Sequence, residues 1–369
     1  MWKKNSVETP LQALRAGCWF KLICGASYQA LPAVRSLTLA YALAGADCVD
    51  MAADPAVVAA VKSGLAAARQ IAADTNHPLA GTLPSYRRPL LMVSMSAGED
   101  PHFRKAWFDP VVCPAECDRP CERICPAAAI DDTGVVDARC YGCGRCLPVC
   151  PLGLIAARSQ PTPLDAIAQQ TLTQVEALEI HTQVGQFSEF QKLWQTIRPW
   201  VAHLQVISIS CPDGEGLIDY LKALQRLMSL RALGIDLIWQ TDGRPMSGDI
   251  GKGTTHAAVR LAQKVLAADL RGHIQLAGGT NQYTVLKLRE LGLWRPSNPR
   301  SIGPSMVAPF ISGIAYGSYA RRLLMTEIEQ THYLEEDPRA LKAAVALARS
   351  LVMPVKQANE ETIKPAARS

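Results

Sequence analysis

Residues 113–151, CPAECDRPCERICPAAAIDDTGVVDARCYGCGRCLPVCP, contain eight of the twelve cysteines in this chain of 369 residues. The second half of the stretch, from Cys140 to Pro151, has the spacing C-x2-C-x2-C-x3-C-P. Three closely spaced thiolates can hold three corners of a cubane iron–sulfur cluster, and a fourth cysteine before a proline reaches a neighbouring cluster. Gly142 and Gly144 allow the tight loop that such wrapping needs. The stretch is therefore predicted to be an iron–sulfur module.

The spacing also assigns ligands to two clusters. In the two-cluster pattern of bacterial ferredoxins, the fourth cysteine of each run completes the cluster of the other run. One cluster is therefore predicted to be held by the second run and the last cysteine of the first, namely Cys140, Cys143, Cys146 and Cys125. The other is predicted to be held by the remaining four cysteines, Cys113, Cys117, Cys121 and Cys150.

Two alternatives stay open at this point. Four thiolates could hold zinc, but zinc ribbons pair two C-x2-C hairpins, whereas a triple run that ends in Cys-Pro is typical of clusters. The first run departs from the common pattern, because three residues separate its cysteines and Pro114 and Pro120 interrupt any single helix. The expected cofactors are two 4Fe–4S clusters, and the one on the first run could also be a 3Fe–4S cluster or be absent.

The composition of the whole chain favours a cytoplasmic globular protein. Apolar residues make up 49% of the sequence, which is enough for a large core. The formal net charge is +5 and no dense basic block carries interleaved aromatic residues, so nucleic acid is not an expected partner. No apolar run approaches the roughly 18–20 residues of a membrane span, and no signal peptide is expected. Clustered thiols that bind metal indicate a reducing compartment.

Outside residues 97–160, short apolar runs alternate with helical stretches, which is typical of βα units around a parallel sheet. Eight strands are predicted: Phe20–Cys24, Asp47–Met51, Pro89–Ser94, Val175–Ile180, Leu204–Ile209, Ile235–Trp239, His273–Ala277 and Ile311–Ala315. The helices predicted between them are Leu31–Ala44, Pro55–Ala73, Leu164–Thr173, Glu189–Val201, Leu217–Leu233, Thr254–Leu270 and Val285–Leu291. Eight such units favour an α/β fold, a (β/α)8 TIM-like barrel, over the alternative of an open doubly wound sheet.

The cysteine stretch interrupts this barrel after its third strand. The predicted division is a barrel from residues 1–96 and 161–354, a ferredoxin-like insertion at 97–160 and a C-terminal tail at 355–369. Loops that follow strands lie on the C-terminal face of such a barrel, where active sites sit. The clusters are therefore expected above the barrel mouth, within reach of any group bound there.

Polar and glycine residues are predicted at that mouth. The strand ends carry a polar set that is either catalytic or a group of structural ion pairs, namely Lys21, Asp54, Glu179, His181, Asp242 and Arg244. Glycines after the last two strands can present amides to a phosphate. The candidate cofactor-binding residues, with FMN as the candidate ligand, are Gly278, Gly279, Gly317 and Ser318. No catalytic residue is identified, and residues 251–254 do not fit the P-loop register.

The four cysteines outside the module are scattered in or beside predicted strands: Cys18, Cys24, Cys48 and Cys211. The default interpretation is that they are small buried hydrophobic residues. Cys211 ends the fifth strand on the face where barrel catalysis happens, so it is also a candidate for a redox role.

Longer segments of the chain resemble one known family. The segments WFKLICGASYQ (19–29), LAGADCVDMAADPAV (43–57), LEIHTQ (178–183) and ISISCPDGEG (207–216), together with the two cysteine runs, resemble the LdpA family of cyanobacterial iron–sulfur proteins. The resemblance implies two clusters in a cytoplasmic protein that reports redox state, and hence light, to the circadian clock. It implies the Kai oscillator and its input kinase as partners. It carries over ligand roles only to the eight module cysteines.

Two functions of different classes follow. In the first, the protein is a non-enzymatic redox sensor or electron carrier, and the state of its clusters alters the affinity of the module for a partner. In the second, it is a flavin-dependent oxidoreductase whose clusters feed electrons to FMN in the barrel mouth. The lack of a recognisable motif for a catalytic base favours the first.

Overall fold

A computed structural model shows a closed barrel with an inserted module. The structure describes residues 9–26, 28–98, 104–125, 127–140, 142, 144–159, 164–243, 254–294, 310–329, 331 and 333–357. Twelve strands lie in these residues: β1 (Trp19–Gly25), β2 (Cys48–Ala52), β3 (Leu90–Ser96), β4 (Arg104–Trp107), β5 (Ile130–Asp131), β6 (Gly134–Val135), β7 (Ala156–Ser159), β8 (Ala177–His181), β9 (Val206–Pro212), β10 (Asp236–Asp242), β11 (His273–Ala277) and β12 (Gly313–Tyr316).

Eight of the described strands are parallel and form the barrel. Their order around it is β1, β2, β3, β8, β9, β10, β11 and β12, and β12 pairs with β1 to close the ring. Lys21 of β1, for example, is in register with Cys48 of β2 on one side and Ala315 of β12 on the other. The predicted barrel and its eight strands are confirmed, and the open sheet is wrong.

The helices cover the outside of the barrel. Those in the described residues are α1 (Pro10–Arg15), α2 (Leu31–Ala44), α3 (Pro55–Ala73), α4 (Pro120–Ile124), α5 (Leu164–Leu172), α6 (Phe187–Ile197), α7 (Leu217–Met228), α8 (Thr255–Leu266), α9 (Thr284–Glu290), α10 (Ser318–Glu329) and α11 (Pro338–Lys356). The helix predicted to run to Leu233 ends at Met228, because Ser229 takes a left-handed φ of 50° and a short 3-10 turn follows. Helices α1, α4, α10 and α11 are not among the helices predicted between the strands.

Helix α3 is long and apolar enough, by length and composition, to cross a membrane, which the sequence analysis did not anticipate. In the structure its residues Val57, Val61 and Leu65 are buried in the core. Gly64 lies against α2, since a Cβ at this position would stand 2.5 Å from the Arg35 carbonyl oxygen. The helix therefore packs closely on its neighbour in the outer layer of the barrel.

The barrel interior has an apolar floor. Leu14 of α1 packs beneath the strands against Trp19, Met92 and Ile238, all of them fully buried. Burial of such side chains contributes roughly 25 cal/mol per Å² of apolar surface. Helix α1 thus closes the amino-terminal end of the barrel, and the layer above this floor is polar.

The inserted module lies between β3 and α5, as predicted. Its two small sheets are antiparallel, β4 with β7 and β5 with β6. Its own core includes Phe108, Ile130 and Ile155 together with three cysteines, Cys121, Cys140 and Cys146. The cysteines are therefore part of the packing of the module and do not lie on a detached loop.

The C-terminal helix reaches into the segment assigned to the tail. Helix α11 ends at Lys356, and Val355 is fully buried against the core. Lys356 Nζ also bonds to the Asp47 carboxylate and to the Cys18 carbonyl oxygen. Residues 358–369 lie outside the described part of the chain.

Candidate iron–sulfur site

The second cysteine run and the last cysteine of the first run meet around one cavity. Cys125, Cys140 and Cys146 line this cavity together with three alanines, Gly144, Ile130 and Arg145. It has an empty volume of about 330 Å³ and is partly open to solvent. Cys143, the fourth predicted ligand, lies outside the described residues. The structure thus brings together the three described members of one predicted ligand set.

The tight course of the second run depends on two glycines. Gly142 and Gly144 have φ angles of 69° and 71°. This left-handed backbone conformation strains residues with a Cβ, whereas glycine adopts it at no steric cost. The role predicted for the two glycines agrees with the structure.

Backbone amides point at the sulfurs that line the cavity. The Ala106 N–H donates to Cys140 Sγ at 3.4 Å, and the Ala129 N–H donates to Cys125 Sγ at 3.3 Å. Hydrogen bonds of this kind to cysteine sulfur are among the interactions by which proteins set the potential of a cluster. The loops around the cavity therefore supply donors as well as ligands.

The four other module cysteines also lie near one another. Cys113 and Cys117 hydrogen-bond through their side chains, and Cys150 interacts electrostatically with Cys113 and Cys121. Burial raises the pKa of the Cys150 thiol, but backbone amides of residues 152–155, one of them at 3.4 Å, outweigh burial and lower that pKa. A lowered pKa favours the thiolate, which is the form that binds metal. Cys150 thus lies near Cys113 and Cys121 of the first run, and its role as a ligand of their cluster stays a prediction.

The residues present fit an iron–sulfur group. Three thiols line a single cavity, most of the other residues around it are alanine or glycine, and amides are directed at the sulfurs. Across the described positions, which do not include Cys143, no three His, Cys, Asp or Glu side chains converge as ligands of one metal ion. In a cubane each cysteine binds its own iron, so the sulfurs surround the group and need not converge on a point.

A buried lysine joins the module to the barrel. Lys105 of β4 is 3% exposed, and its Nζ donates to Gln29 Oε1 at 2.9 Å and to the Asp137 carbonyl at 2.6 Å. The Gln29 amide group donates to the Asp54 carboxylate at 2.8 Å, and Asp54 caps α3. The Gln29 N–H donates to the Ala138 carbonyl at 3.1 Å. These contacts connect a loop of the barrel mouth to the segment that leads into the second cysteine run.

Lys105→Met is expected to loosen this junction while the barrel stays folded. The substitution leaves the Asp137 carbonyl and the Gln29 side chain without their donor, and a lost buried partner costs about 1–3 kcal/mol. Amide hydrogen exchange at Gln29 should therefore accelerate about tenfold or more. The matched control is Lys192→Met on the exposed face of α6. Equal exchange at Gln29 in the two variants would contradict the role given to Lys105.

Part of the polar set predicted for the mouth forms a buried network inside the barrel. The Glu179 carboxylate accepts hydrogen bonds from Lys21 Nζ, from Ser208 Oγ at 2.9 Å and from Gln240 Nε2 at 2.7 Å. His181 Nε2 lies 3.1 Å from the same carboxylate. The Lys21 and Glu179 side chains are 0% and 1% exposed. With four partners around it, Glu179 has no acceptor position left for a substrate, which supports the structural interpretation.

The sequence analysis missed the second carboxylate of this network, as well as Ser208 and Gln240. Asp50 of β2 places Oδ2 3.9 Å from Lys21 Nζ and accepts a hydrogen bond from Ser94 Oγ at 2.7 Å. The position of Asp50 in an otherwise apolar strand could have identified it, since a buried charge needs a partner. Of the other predicted mouth residues, Asp242 ends β10 and is 6% exposed, and Arg244 lies outside the described residues.

The charges of the network are set by burial and by their neighbours. Burial alone would lower the pKa of Lys21, but Glu179 and Asp50 outweigh it and raise that pKa. Burial opposes ionisation of Glu179, yet Lys21 and His181 hold its pKa below the usual value. Asp50 is further from Lys21, so burial and the Glu179 charge raise its pKa to about 7. One salt bridge is therefore stable near neutral pH, and Asp50 is the group that titrates there.

Asp50→Asn is expected to reduce the dependence of barrel stability on pH. The folded-state pKa of Asp50 is about 7 and its ordinary value is 3.8, so its contribution is fully present below 3.8 and is lost as the pH rises through 7. This loss amounts to at most about 4 kcal/mol in the wild type. Above its ordinary pKa, Glu179 is ionised in both the folded and the unfolded state, so it adds no pH dependence to the free energy of unfolding in that range. Urea unfolding between about pH 5 and 8 measures the effect, and equal slopes in both proteins would contradict it.

The four candidate cofactor-binding residues follow the last two barrel strands: Gly278, Gly279, Gly317 and Ser318. Gly279 has a φ of 93°, and a Cβ there would lie 2.6 Å from the Thr254 carbonyl oxygen. Ser318 Oγ accepts a hydrogen bond from Arg321 Nη2 at 3.1 Å, while Arg321 Nη1 donates to two carbonyls of β1. Contacts within the protein thus account for Gly279 and Ser318, and no described contact is specific to FMN.

The four cysteines outside the module are buried, as predicted. Burial raises the pKa of Cys24 and of Cys211 to about 12 in each case. For Cys211 the nearby Asp242 and Asp213 raise it further. A thiol that stays protonated is a poor nucleophile and a poor metal ligand, which supports the default interpretation of these residues.

Solved structures with a similar outline are distant. The tryptophan synthase α chain from Legionella pneumophila is 12% identical with a TM-score of 0.44, over 95% of this chain and 96% of that one. The (S)-3-O-geranylgeranylglyceryl phosphate synthase from Thermoplasma acidophilum is 9% identical with a TM-score of 0.38, over 93% and 97%. Likenesses of this size carry no conclusion about function.

Comparisons of sequence are more specific. Residues 113–161 match the model of the LdpA Fe-S cluster-binding domain, and residues 170–354 match the model of the light dependent period A C-terminal domain. The protein called light dependent period A from Synechococcus elongatus is 53% identical over 358 residues, which is 96% of this chain and 95% of that protein. The two models match the cysteine module and the second part of the barrel separately. The chain therefore belongs to the light dependent period A (LdpA) family.

Proposed function

We propose that this protein is a cytoplasmic iron–sulfur redox sensor that helps to make the circadian period depend on light. The observation that carries the proposal is the cavity lined by Cys125, Cys140 and Cys146 in a module that is attached to the barrel mouth. The match of residues 113–161 to an Fe-S cluster-binding model supports the cofactor. The relative in Synechococcus elongatus, whose name describes a light-dependent period, supports the process.

The proposed cofactors are two 4Fe–4S clusters. Cys125, Cys140, Cys143 and Cys146 would hold one of them, and the other four module cysteines, Cys113, Cys117, Cys121 and Cys150, would hold the second. When bound, such clusters supply reversible one-electron oxidation and reduction. The amides that donate to Cys125, Cys140 and Cys150 would keep these thiolates ordered in both states.

The junction at Lys105 is the proposed route from the module to the barrel. Lys105 Nζ lies between the second cysteine run and the mouth loop, and its bonds to Gln29 and to the Asp137 carbonyl would respond to a change of charge in the module. A change there would alter the surface offered to a partner, with a coupling of about 1–3 kcal/mol. Clock proteins are the proposed partners, with the Kai oscillator and its input kinase as candidates.

The proposal is tested in a cyanobacterium that lacks its own family member. The wild-type chain should restore the dependence of circadian period on light intensity. A Cys140→Ser/Cys146→Ser variant that accumulates to the same level should not. The control is Cys211→Ser, whose hydroxyl can replace the bond from Cys211 Sγ to the Pro212 carbonyl.

Two results would contradict the proposal. One is full restoration of the light dependence by the variant without cavity ligands, since the clusters would then be unnecessary. The other is the release of yellow, fluorescent flavin when protein purified without air is denatured. Flavin would favour an oxidoreductase with FMN in the barrel mouth.

A further inference from the structure

A broad groove lies at the amino-terminal end of the barrel, at the opposite end from the cysteine module. It runs between the 3-10 turn that follows α7 and the start of β11, and has an empty volume of about 1670 Å³, part of it open to solvent. Arg226, Arg231 and Arg271 line it and are exposed. Its floor is apolar and includes Leu230 and Ile235. The groove therefore offers cations around an apolar surface.

The charge of the groove is positive. Asp236 is the one acidic residue that lines it in the described part of the chain. Its carboxylate is held by Arg15 at 2.8 Å and lies 3.8 Å from His273 Nε2. His273 and Arg15 lower the pKa of Asp236 against the effect of its partial burial. Because these neighbours offset the Asp236 charge, the three arginines dominate the potential in the groove.

The wall that carries Arg271 is fixed in place. The Arg271 carbonyl accepts hydrogen bonds from Trp239 Nε1 at 2.9 Å and from Gln225 Nε2 at 2.7 Å. The next residue, Gly272, has a φ of 124°, and a Cβ there would lie 2.8 Å from the Leu237 carbonyl oxygen. A wall held in this way loses little conformational entropy when a ligand binds.

We propose that this groove binds an extended acidic segment of a partner protein, with an apolar side chain seated on the floor between the arginines. Arginine pairs with carboxylates through a planar, two-pronged set of donors. The groove is open to solvent along its length, whereas pockets for small ligands enclose most of the ligand surface. Proteins that bind single-stranded nucleic acid stack its bases on exposed aromatic rings, and among the described residues no Phe, Tyr or Trp side chain lines the groove.

The proposal does not depend on the redox function. The groove and the module lie at opposite ends of the barrel, since Asp236 and His273 begin their strands whereas the module follows the end of β3. A partner could therefore bind at the groove whether or not the clusters are present.

The experiment uses the full-length protein with its clusters and a fluorescein-labelled synthetic peptide of glutamates and serines around a central leucine. Fluorescence anisotropy should show binding that weakens as salt is added. The same peptide with glutamine in place of glutamate should bind at least about tenfold more weakly. The triple substitution Arg226→Gln/Arg231→Gln/Arg271→Gln should weaken binding of the acidic peptide by a similar factor. The control is Arg69→Gln on the exposed side of α3.

Three outcomes would overturn the proposal. The first is equal affinity for the acidic peptide and its glutamine version. The second is unchanged affinity in the triple variant. The third is binding of single-stranded oligothymidine that depends on the same arginines, with no binding of the acidic peptide, because the groove would then be a nucleic-acid site.

Discussion

Replacement of Glu179 with glutamine is expected to lower the free energy of unfolding of the barrel by about 3–5 kcal/mol. The substitution leaves the Lys21 ammonium inside the barrel with Asp50, at 3.9 Å, as its remaining carboxylate partner. Both Lys21 and Glu179 are excluded from water, so neither charge can be screened when the other is lost. Urea unfolding monitored by circular dichroism measures the change.

A double-mutant cycle separates the ion pair from the packing around it. Lys21→Met alone should also destabilise the barrel, because it leaves the buried Glu179 carboxylate without its lysine partner. The combined variant Lys21→Met/Glu179→Gln should lose less than the sum of the two single changes, since no unpaired charge remains at either position. Additive losses would contradict a direct ionic interaction between the two side chains.

A surface pair supplies the comparison. Lys264 and Asp213 form a salt bridge of 2.6 Å with side chains that are 42% and 59% exposed. Asp213→Asn should change stability by no more than about 1 kcal/mol, because water already solvates both charges. If Asp213→Asn lowered the free energy of unfolding as much as Glu179→Gln does, burial would not determine how much an ion pair contributes to stability.

Serine at a module cysteine is expected to remove one of the two clusters and leave the other in place. Cys125→Ser and Cys140→Ser should each lower the bound iron by about half and abolish the same EPR signal of the reduced protein, since both residues line one cavity. Cys121→Ser and Cys150→Ser should abolish the other signal. The most specific part of the prediction is the crossover, in which the last cysteine of each run is a ligand of the cluster that the other run holds.

The outcome that contradicts the crossover is equally specific. If Cys125→Ser removed the signal that Cys121→Ser removes, each run would hold its own cluster. Cys211→Ser is the control, because Cys211 is buried in the barrel away from the module and should leave iron and both signals unchanged. All of these proteins are to be purified without air.

The regular part of the barrel could be predicted because its signals are local. Apolar runs followed by amphipathic helices indicated all eight strands, and Gly234 and Gly272 ended their segments with the positive φ angles that glycine permits. Helix α11 was missed, although its sequence from Pro338 to Lys356 has helical periodicity. It follows the eighth strand and packs on α2 and α10, so nothing in the count of βα units requires it.

The candidate site also contains residues that the sequence could identify and residues that it could not. The spacing of the cysteines indicated an iron–sulfur module, because each cysteine run carries its ligand spacing within a few residues, and the crossover of Cys125 stays a prediction. Lys105 gave no signal, since its role depends on Gln29, which lies far away in the chain. Lys21 and Glu179 were identified as polar strand residues, but the sequence did not indicate that they pair with each other or that they are fully buried.

The sequence by itself determined that the protein has a (β/α)8 barrel interrupted after its third strand by a cysteine module of the iron–sulfur type. Periodicity and ligand spacing are properties of neighbouring residues, so they can be read without the fold. Tertiary structure alone decided that Lys21, Asp50 and Glu179 share one buried layer, that Lys105 joins the module to the mouth, and that three arginines line one groove. These arrangements depend on barrel closure, because closure brings residues of distant strands and loops together, and it is burial after closure that sets their charges and energies.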